Sequence, residues 1–148
     1  MSTEAKVNPI PAGYHTITPY LVVADAQKEI EFLQKAFGAE LTYSHKGPDG
    51  SISHAEMKIG TSMLMISQAR GPWQPKPMNF YLYVEDCDAW YRRAVAAGAE
   101  STMAPANMYY GDRHGGVRDV HGNDWWIGTH IEDVAPEEIE RRAAAAGR

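Results

Sequence analysis

The chain has 148 residues, a length that suits one domain or two small halves. Its fractions of 44% hydrophobic and 22% charged residues are ordinary for a globular protein. Its formal net charge is -5 and its Lys and Arg residues are scattered, which disfavours the clustered basic surface of a nucleic-acid-binding protein. No segment approaches the roughly 20 apolar residues of a membrane span, no apolar signal-peptide core is visible near Met1, and the single cysteine, Cys87, cannot form an internal disulfide, so we expect a cytoplasmic protein without a membrane partner.

The first half predicts one module over residues 14–69, preceded by a polar arm over 1–13. β-branched and aromatic residues predict a strand over Tyr14–Val23, in which Pro19 indicates an edge or a bulge. Asp25 is a helix N-cap candidate, and Gly38 is expected to end the helix that follows. The segments "ELTYSHKG", "ISHAEMKIG" and "SMLMIS" predict three more strands.

The second half repeats this pattern after a Pro-rich linker over residues 70–77. The module predicted over 78–131 begins with the strand "NFYLYVE" and a helix that Asp86 or Asp88 caps and Gly98 ends. A short strand near Ser101 and a loop over "APANMYYGDRHGG" are expected next. A strand near Val117, a turn at "DVHGND" and the strand "WWIGTH" complete the module, and a charged helix falls in 132–148.

Both halves contain a strand, an Asp-capped helix and the sequence Gly-Ala-Glu in the same order. We therefore predict an α+β protein with two βαβββ modules, which form a curved mixed sheet with a concave cleft and outer helices.

The chain resembles the vicinal oxygen chelate superfamily, which includes glyoxalase, bleomycin resistance proteins and dioxygenases. The stretches "GYHTITPYLVVADAQKEIEFLQKAFGAE", "HAEMKIGTSMLMIS", "YLYVEDCDAWYRRAVAAGAE" and "YYGDRHGGVRDVHGNDWWIGTHIEDVAPEEIERR" are most similar to its PhnB-like branch. The resemblance implies the fold named above, a homodimer and a small-molecule ligand.

Metal-dependent members of this superfamily place four His, Gln or Glu ligands on the concave face. Position by position, the resemblance puts Thr18, Met65, Asn79 and Trp126 at those places. None of the four is a strong ligand for zinc, nickel or iron, so we expect no metal and no other cofactor.

Alternation along the strands predicts the wall of the cleft. It is aromatic and soft, which suits a largely apolar or planar organic molecule held by a few polar groups. The predicted ligand-binding residues are Thr18, Tyr20, Met63, Met65, Asn79, Tyr81, Tyr83, Tyr110, Arg113 and Trp126. Trp125, next to Trp126, is expected to face the helix layer as core. The alternative for the predicted wall is that its side chains simply fill the cleft as core.

Several charged residues allow two interpretations. Arg113 either forms an ion pair with Asp112 that pins the loop, or clamps an anionic group of a ligand. His54 and Glu56 share one face of a strand, where they form either part of a metal site or a cross-strand pair. His121 is attributed to the turn, because His tolerates unusual backbone angles.

Two functions follow as hypotheses, and whether the chain is an enzyme stays open. The first is a metal-free protein that binds a small aromatic or largely apolar molecule. The second is a lyase-, isomerase- or dioxygenase-like enzyme, either with displaced metal ligands such as His54, Glu56 or His15, or with metal-free acid-base chemistry. For that chemistry the candidate catalytic residue is Asp124, acting with Tyr81 or Tyr83, because a carboxylate that faces aromatic rings has a raised pKa.

Overall fold

The computed structural model describes residues 6–148, in which eight strands and three helices follow one another. The first module contains β1 (Tyr20–Val23), α1 (Ala26–Phe37), β2 (Glu40–Lys46), β3 (Ile52–Ile59) and β4 (Ser62–Gln68). The second contains β5 (Asn79–Tyr83), α2 (Cys87–Ala96), β6 (Glu100–Asn107), β7 (Asp112–Arg118) and β8 (Asp124–His130), and α3 (Pro136–Ala145) follows it.

Each module forms its own four-stranded mixed sheet with the same topology. The strand order is β1-β4-β3-β2 in sheet 1 and β5-β8-β7-β6 in sheet 2. In both sheets the first pair is parallel and the other two are antiparallel. The predicted α+β fold of two βαβββ modules is therefore confirmed.

The helix termini follow the local sequence signals. The Asp25 side chain accepts a hydrogen bond from the backbone N–H of Lys28, and that of Asp86 accepts one from Ala89, each at 3.1 Å. Gly38 ends α1 with a φ of 62°, a left-handed conformation that glycine adopts without steric cost. These caps fix where each helix leaves its sheet.

One apolar core joins the two modules. Helix α1 packs on sheet 1, α2 packs on sheet 2, and the two helices contact each other. Phe37 stacks on Trp90 with ring centroids 5.8 Å apart and contacts Trp125 at 5.2 Å. Trp125 is 1% exposed, which confirms its expected place in the core. Neither α1 nor α2 covers the opposite face of its sheet, and we call these faces the open face of sheet 1 and the open face of sheet 2.

Three local expectations are wrong. Strand β1 begins at Tyr20 rather than Tyr14, so Thr16 and Thr18 precede it. Residues 104–107 and 112–116, expected in a loop, belong to β6 and β7, because pairing with neighbouring strands overrides the low strand propensity of Pro105 and the glycines. The left-handed residue of the β7–β8 turn is Gly122, with a φ of 82°, and not His121.

None of the helices within residues 6–148 is both long enough and apolar enough to cross a membrane.

Candidate functional site

The open face of sheet 2 carries rows of side chains that the strand register places side by side. The first row contains Asn79, Asp124 and Arg118 on β5, β8 and β7. The second contains Tyr81, Trp126 and Gly116, and the third contains Tyr83, Gly128 and His114. Three of the aromatic residues predicted to line the cleft, Tyr81, Tyr83 and Trp126, therefore lie in adjacent rows on one face.

Two glycines shape this surface. A Cβ atom at Gly128 would lie 2.6 Å from the Tyr81 hydroxyl and 2.8 Å from its ring, and one at Gly116 would lie 2.9 Å from the Trp126 ring. Side chains at these positions would displace both rings, because carbon atoms do not approach so closely. The glycines thus allow Tyr81 and Trp126 to lie across the sheet.

A buried carboxylate organises the end of the face next to Tyr83. Asp112 is 3% exposed, and its Oδ2 accepts hydrogen bonds from the hydroxyls of Tyr81 at 2.8 Å and Tyr83 at 2.9 Å. His130 contacts Oδ1 through Nδ1 at 2.9 Å, and its Nε2 lies 2.7 Å from the exposed Asp133 carboxylate. We call these residues and His114 the Asp112 network.

The hydrogen bonds decide the charge of this carboxylate. Burial acts to raise the pKa of Asp112, but the hydrogen bonds from His130, Tyr81 and Tyr83 prevail and hold it below its ordinary value. Hydrogen bonds to Asp112 and Asp133 raise the pKa of His130, which favours an imidazolium that donates through both nitrogens. The result is a buried anion with three donors.

His114 links the Asp112 network to the aromatic surface. Its Nδ1 lies 3.1 Å from the Tyr81 hydroxyl and 3.0 Å from that of Tyr110, and its ring lies 5.2 Å from the Trp126 ring. Burial lowers the pKa of His114, although the charge of Asp112 opposes this effect. The imidazole is therefore neutral at pH 7.

The predicted surroundings of Asp124 and Arg113 are wrong. Asp124 accepts two hydrogen bonds from Arg118, at 2.7 and 3.1 Å, so its oxygens face a guanidinium rather than the aromatic rings. Arg113 pairs with Asp88, at 2.8 and 3.0 Å, and not with Asp112. Because Asp112 and Arg113 are neighbours in a strand, they point to opposite faces. Arg113 is thus directed away from the open face and does not contribute to the aromatic surface.

The other predicted ligand-binding residues lie in three places. Met63 lies in a cleft between the β3–β4 turn and β5, which Tyr81 and Tyr83 also line. Thr18 and Met65 line a separate cavity beneath the arm, where Tyr14 donates a hydrogen bond to Glu56. Tyr20, on the edge strand of sheet 1, contacts the ring of His54 with centroids 5.9 Å apart. The structure therefore brings Met63, and not the other three, to the aromatic residues of β5.

Potential metal donors on the open face of sheet 1 are few. His54 Nε2 lies 3.3 Å from Glu56 Oε2, as expected for a pair that shares one face. His15, His54 and Glu56 do not converge as a group of three donors in the described residues, which removes the support for displaced ligands at these positions.

A different acidic group lies where the two modules meet. Glu29 of α1 contacts Nδ1 of His121 through Oε2 at 2.6 Å, and donor atoms of Glu29, Asp119 and His121 lie within 4.8 Å of one another. Asp119 already accepts four hydrogen bonds, from the backbone N–H groups of His121 and Asn123, the Asn123 amide and the Trp125 indole. With both carboxylate oxygens saturated in this way, Asp119 is the anchor of the β7–β8 turn and has little capacity for a metal ion.

Sequence reasoning missed Asp112, His114 and His130 as one constellation. Asp112, His114 and Gly116 alternate with period two, which is the pattern of a strand face, but the glycines and Pro105 favoured a loop. Recognising β7 from this alternation would have placed Asp112 and His114 together and Arg113 opposite them.

Comparisons with known proteins agree with this architecture. Residues 13–127 match the family model of the Glyoxalase/Bleomycin resistance protein/Dioxygenase superfamily. An uncharacterized protein of Mycobacterium bovis is 32% identical, covering 88% of this chain and 93% of the relative, and one of Mycobacterium tuberculosis is equally similar, with 84% of the relative covered.

Solved structures show the same fold. TioX from Micromonospora sp. ML1 superposes with a TM-score of 0.69 at 24% identity, covering 78% of this chain and 98% of that one. A glyoxalase/bleomycin resistance protein/dioxygenase from Nocardioides gives 0.62 at 21% identity, covering 82% and 87%. With the family match over most of its length, the chain belongs to the glyoxalase/bleomycin resistance protein/dioxygenase superfamily.

Proposed function

We propose that this protein binds a planar, largely apolar small molecule against the open face of sheet 2. The observation that carries the proposal is the pair of rings, Tyr81 and Trp126, that Gly128 and Gly116 allow to lie across the sheet. Aromatic rings attract a flat ligand through dispersion and stacking. The Asp112 network supplies a few fixed polar groups beside them, as small-molecule sites do.

The residues that the family resemblance assigns to the ligand positions of metal-dependent members support the proposal of binding without a metal. Thr18, Met65, Asn79 and Trp126 offer a hydroxyl, a thioether, an amide and an indole, which are weak ligands for first-row metals. Among the protein classes of this superfamily, the bleomycin resistance proteins fit this proposal better than the dioxygenases. Membership of the PhnB-like branch and a cytoplasmic location remain predictions.

A homodimer would close the site. Large aromatic side chains stay exposed in the single chain, among them Tyr20 at 45%, Tyr43 at 52% and Tyr83 at 67%. Exposed apolar groups of this size are typical of surfaces that a partner covers. Light scattering should therefore give twice the chain mass of 16.4 kDa, and the chain mass alone would contradict the dimer.

Tryptophan fluorescence tests the ligand proposal. We expect saturable quenching by members of a panel of planar aromatic compounds. Trp126→Leu should weaken binding by up to about tenfold, because an aromatic stacking contact is worth roughly 0.5–1.5 kcal/mol beyond the area it buries. Trp73→Leu is the matched control, since Trp73 is 65% exposed in the linker, where it pairs with Arg70, and belongs to none of the rows on the open face.

Two results would contradict the proposal. One is a flat fluorescence response across the panel. The other is equal binding by wild type and the Trp126→Leu variant, which would place the ligand elsewhere. Arg113→Gln should bind as wild type does, because Arg113 pairs with Asp88 on the opposite side of β7.

A further inference from the structure

The hydrogen bonds around His114 determine where its proton lies. The single hydrogen of the Tyr81 hydroxyl is directed to Asp112 Oδ2 at 2.8 Å. The Tyr81 oxygen can then only accept a hydrogen bond from His114 Nδ1, which lies 3.1 Å away. If Tyr110 instead donated to a bare Nδ1 at 3.0 Å, the lone pairs of Nδ1 and of the Tyr81 oxygen would repel each other at 3.1 Å. The hydrogen is therefore assigned to Nδ1, and the oxygens of Tyr81 and Tyr110 both accept it.

The other nitrogen of His114 is consequently a free base. With the hydrogen on Nδ1, Nε2 holds a lone pair, and no hydrogen-bond partner for Nε2 exists within residues 6–148. The Nε2 atom is also not fully buried, so it is accessible from the surface. The ring lies beside Trp126, which places this lone pair at the edge of the proposed ligand platform.

We propose that His114 is a general base that removes a proton from the molecule bound on this face, while Tyr81 and Asp112 position it. This inference rests on the proposed function, since it requires a ligand on the platform. His114 is the catalytic residue, and the other two act through it. Asp112 would stabilise the imidazolium that forms, because a buried anion behind a base favours its protonated state.

The geometry also indicates the class of substrate. It is a flat aromatic or conjugated molecule with an acidic hydrogen on its edge, since the base lies beside the stacking surface. In the step, the C–H bond breaks, the hydrogen forms a bond to Nε2, and the electron pair stays on the conjugated substrate. The imidazolium later returns its proton to the product or to water.

Nitrogen NMR of the labelled protein tests the base directly and needs no substrate. At pH 7 we expect His114 to be neutral with its hydrogen on Nδ1, and Tyr81→Phe should shift the population towards the Nε2–H form. Wild-type His114 as an imidazolium, or with its hydrogen on Nε2, would overturn the inference. A Tyr81→Phe spectrum identical to that of the wild type would overturn the positioning role.

Ring opening of 5-nitrobenzisoxazole tests the reaction. A base removes its C3 hydrogen, the N–O bond breaks, and a nitrile and a coloured phenolate form, with no other reactant. We expect His114→Phe to keep an aromatic ring beside Trp126, so that its ring-opening rate can be compared with that of the wild type when each is saturated with the probe. Its ring-opening rate should fall about a hundredfold. His45→Phe, on the exposed strand β2, is the control that should keep the rate.

The outcomes separate the two proposals. Probe binding with equal ring-opening rates in wild type and His114→Phe would overturn the general base and leave the binding function standing. Absence of binding by the whole aromatic panel would overturn the binding function itself. In that case the tautomer of His114 still decides whether the base exists.

Discussion

Asp112 on the open face of sheet 2 and Glu29 at the contact between the modules are both almost fully buried, at 3% and 0% exposure, yet their pKa values shift in opposite directions. Three side-chain donors surround Asp112 and lower its pKa. Burial, followed by the hydrogen bond and the charge of Asp119, raises the pKa of Glu29 to about 10. The comparison teaches that the donors around a buried carboxyl group, more than its burial, decide whether it is ionised.

Glu29 is therefore a neutral acid at pH 7. Within residues 6–148 its Oε1 has no hydrogen-bond partner, while its Oε2 contacts His121. Both carboxyl groups contact a histidine. Hydrogen bonds to Asp112 and Asp133 raise the pKa of His130 in the Asp112 network, which favours its charged form. Burial lowers the pKa of His121, so it adds no positive charge.

The same acid-to-amide change should have opposite effects at the two positions. Glu29→Gln should raise the free energy of unfolding by on the order of 3 kcal/mol at pH 7. Above the ordinary pKa of 4.5, ionisation of Glu29 stabilises the unfolded chain, and glutamine removes this stabilisation. Urea denaturation measures the difference, and Glu31→Gln, an exposed position on the same helix, is the control.

The pH dependence sharpens this prediction. A folded-state pKa raised from 4.5 to about 10 means that the folded protein binds more protons between those values. The contribution of Glu29 to stability is then fully present below pH 4.5 and is lost as the pH rises towards 10. Glu29→Gln should flatten this decline, and an equally steep decline in the variant would contradict a protonated Glu29.

Asp112→Asn should lower the free energy of unfolding by about 2 kcal/mol. The variant loses hydrogen bonds to a charged acceptor, and the NH2 group of asparagine faces other hydrogen-bond donors. Because the pKa of Asp112 is lowered in the folded protein, its contribution to stability depends on pH in the opposite direction from that of Glu29. The stabilisation is present above the ordinary pKa of Asp and is lost as the pH falls through the folded value. Urea denaturation from pH 7 to pH 3 checks both statements, and a variant as stable as wild type at pH 7 would contradict the anionic network.

Gly128→Ala should destabilise the protein by about 1–3 kcal/mol, because the new methyl group displaces the Tyr81 ring. The displaced ring also breaks the contacts from Tyr81 to Asp112 and His114, so binding of planar compounds should weaken. Thermal denaturation and the fluorescence titration measure the two effects. Gly47→Ala, where the new atom meets neighbours only at 3.5 Å or more, is the control, and equal effects in both variants would contradict the role of Gly128.

Sequence patterns predicted those strands and helices in which the local sequence signals agree with the contacts in the folded protein. Alternation separated Phe80 and Trp125 in the core from Tyr81 and Trp126 on the open face, because one side of each strand is buried. Asp25 and Asp86 indicated helix starts through a hydrogen bond to a residue three positions later. These signals operate within a few residues and need no knowledge of the fold.

The site depends on contacts that local patterns do not contain. Tyr81 of β5 contacts Asp112 of β7 because the sheet places β8 between these strands and the Tyr81 ring crosses β8 at Gly128. Glu29 contacts His121, which lies 92 positions later in the chain. The side-chain partners of Asp124 and Arg113 depend on the same register. Composition alone favoured a loop around Pro105, because proline cannot donate a backbone hydrogen bond. The strand β6 forms nevertheless, since Pro105 lies at a register shift where the missing N–H is tolerated.

The identical strand order of the two sheets has an evolutionary consequence. A scaffold present twice in one chain can keep its shape in both copies while the outward-facing residues of each copy diverge independently. The Asp112 network occupies only the second copy, whereas the corresponding surface of the first carries methionines and the His54–Glu56 pair. One backbone arrangement therefore carries two different sets of surface chemistry in the same chain, and each set can change without the other.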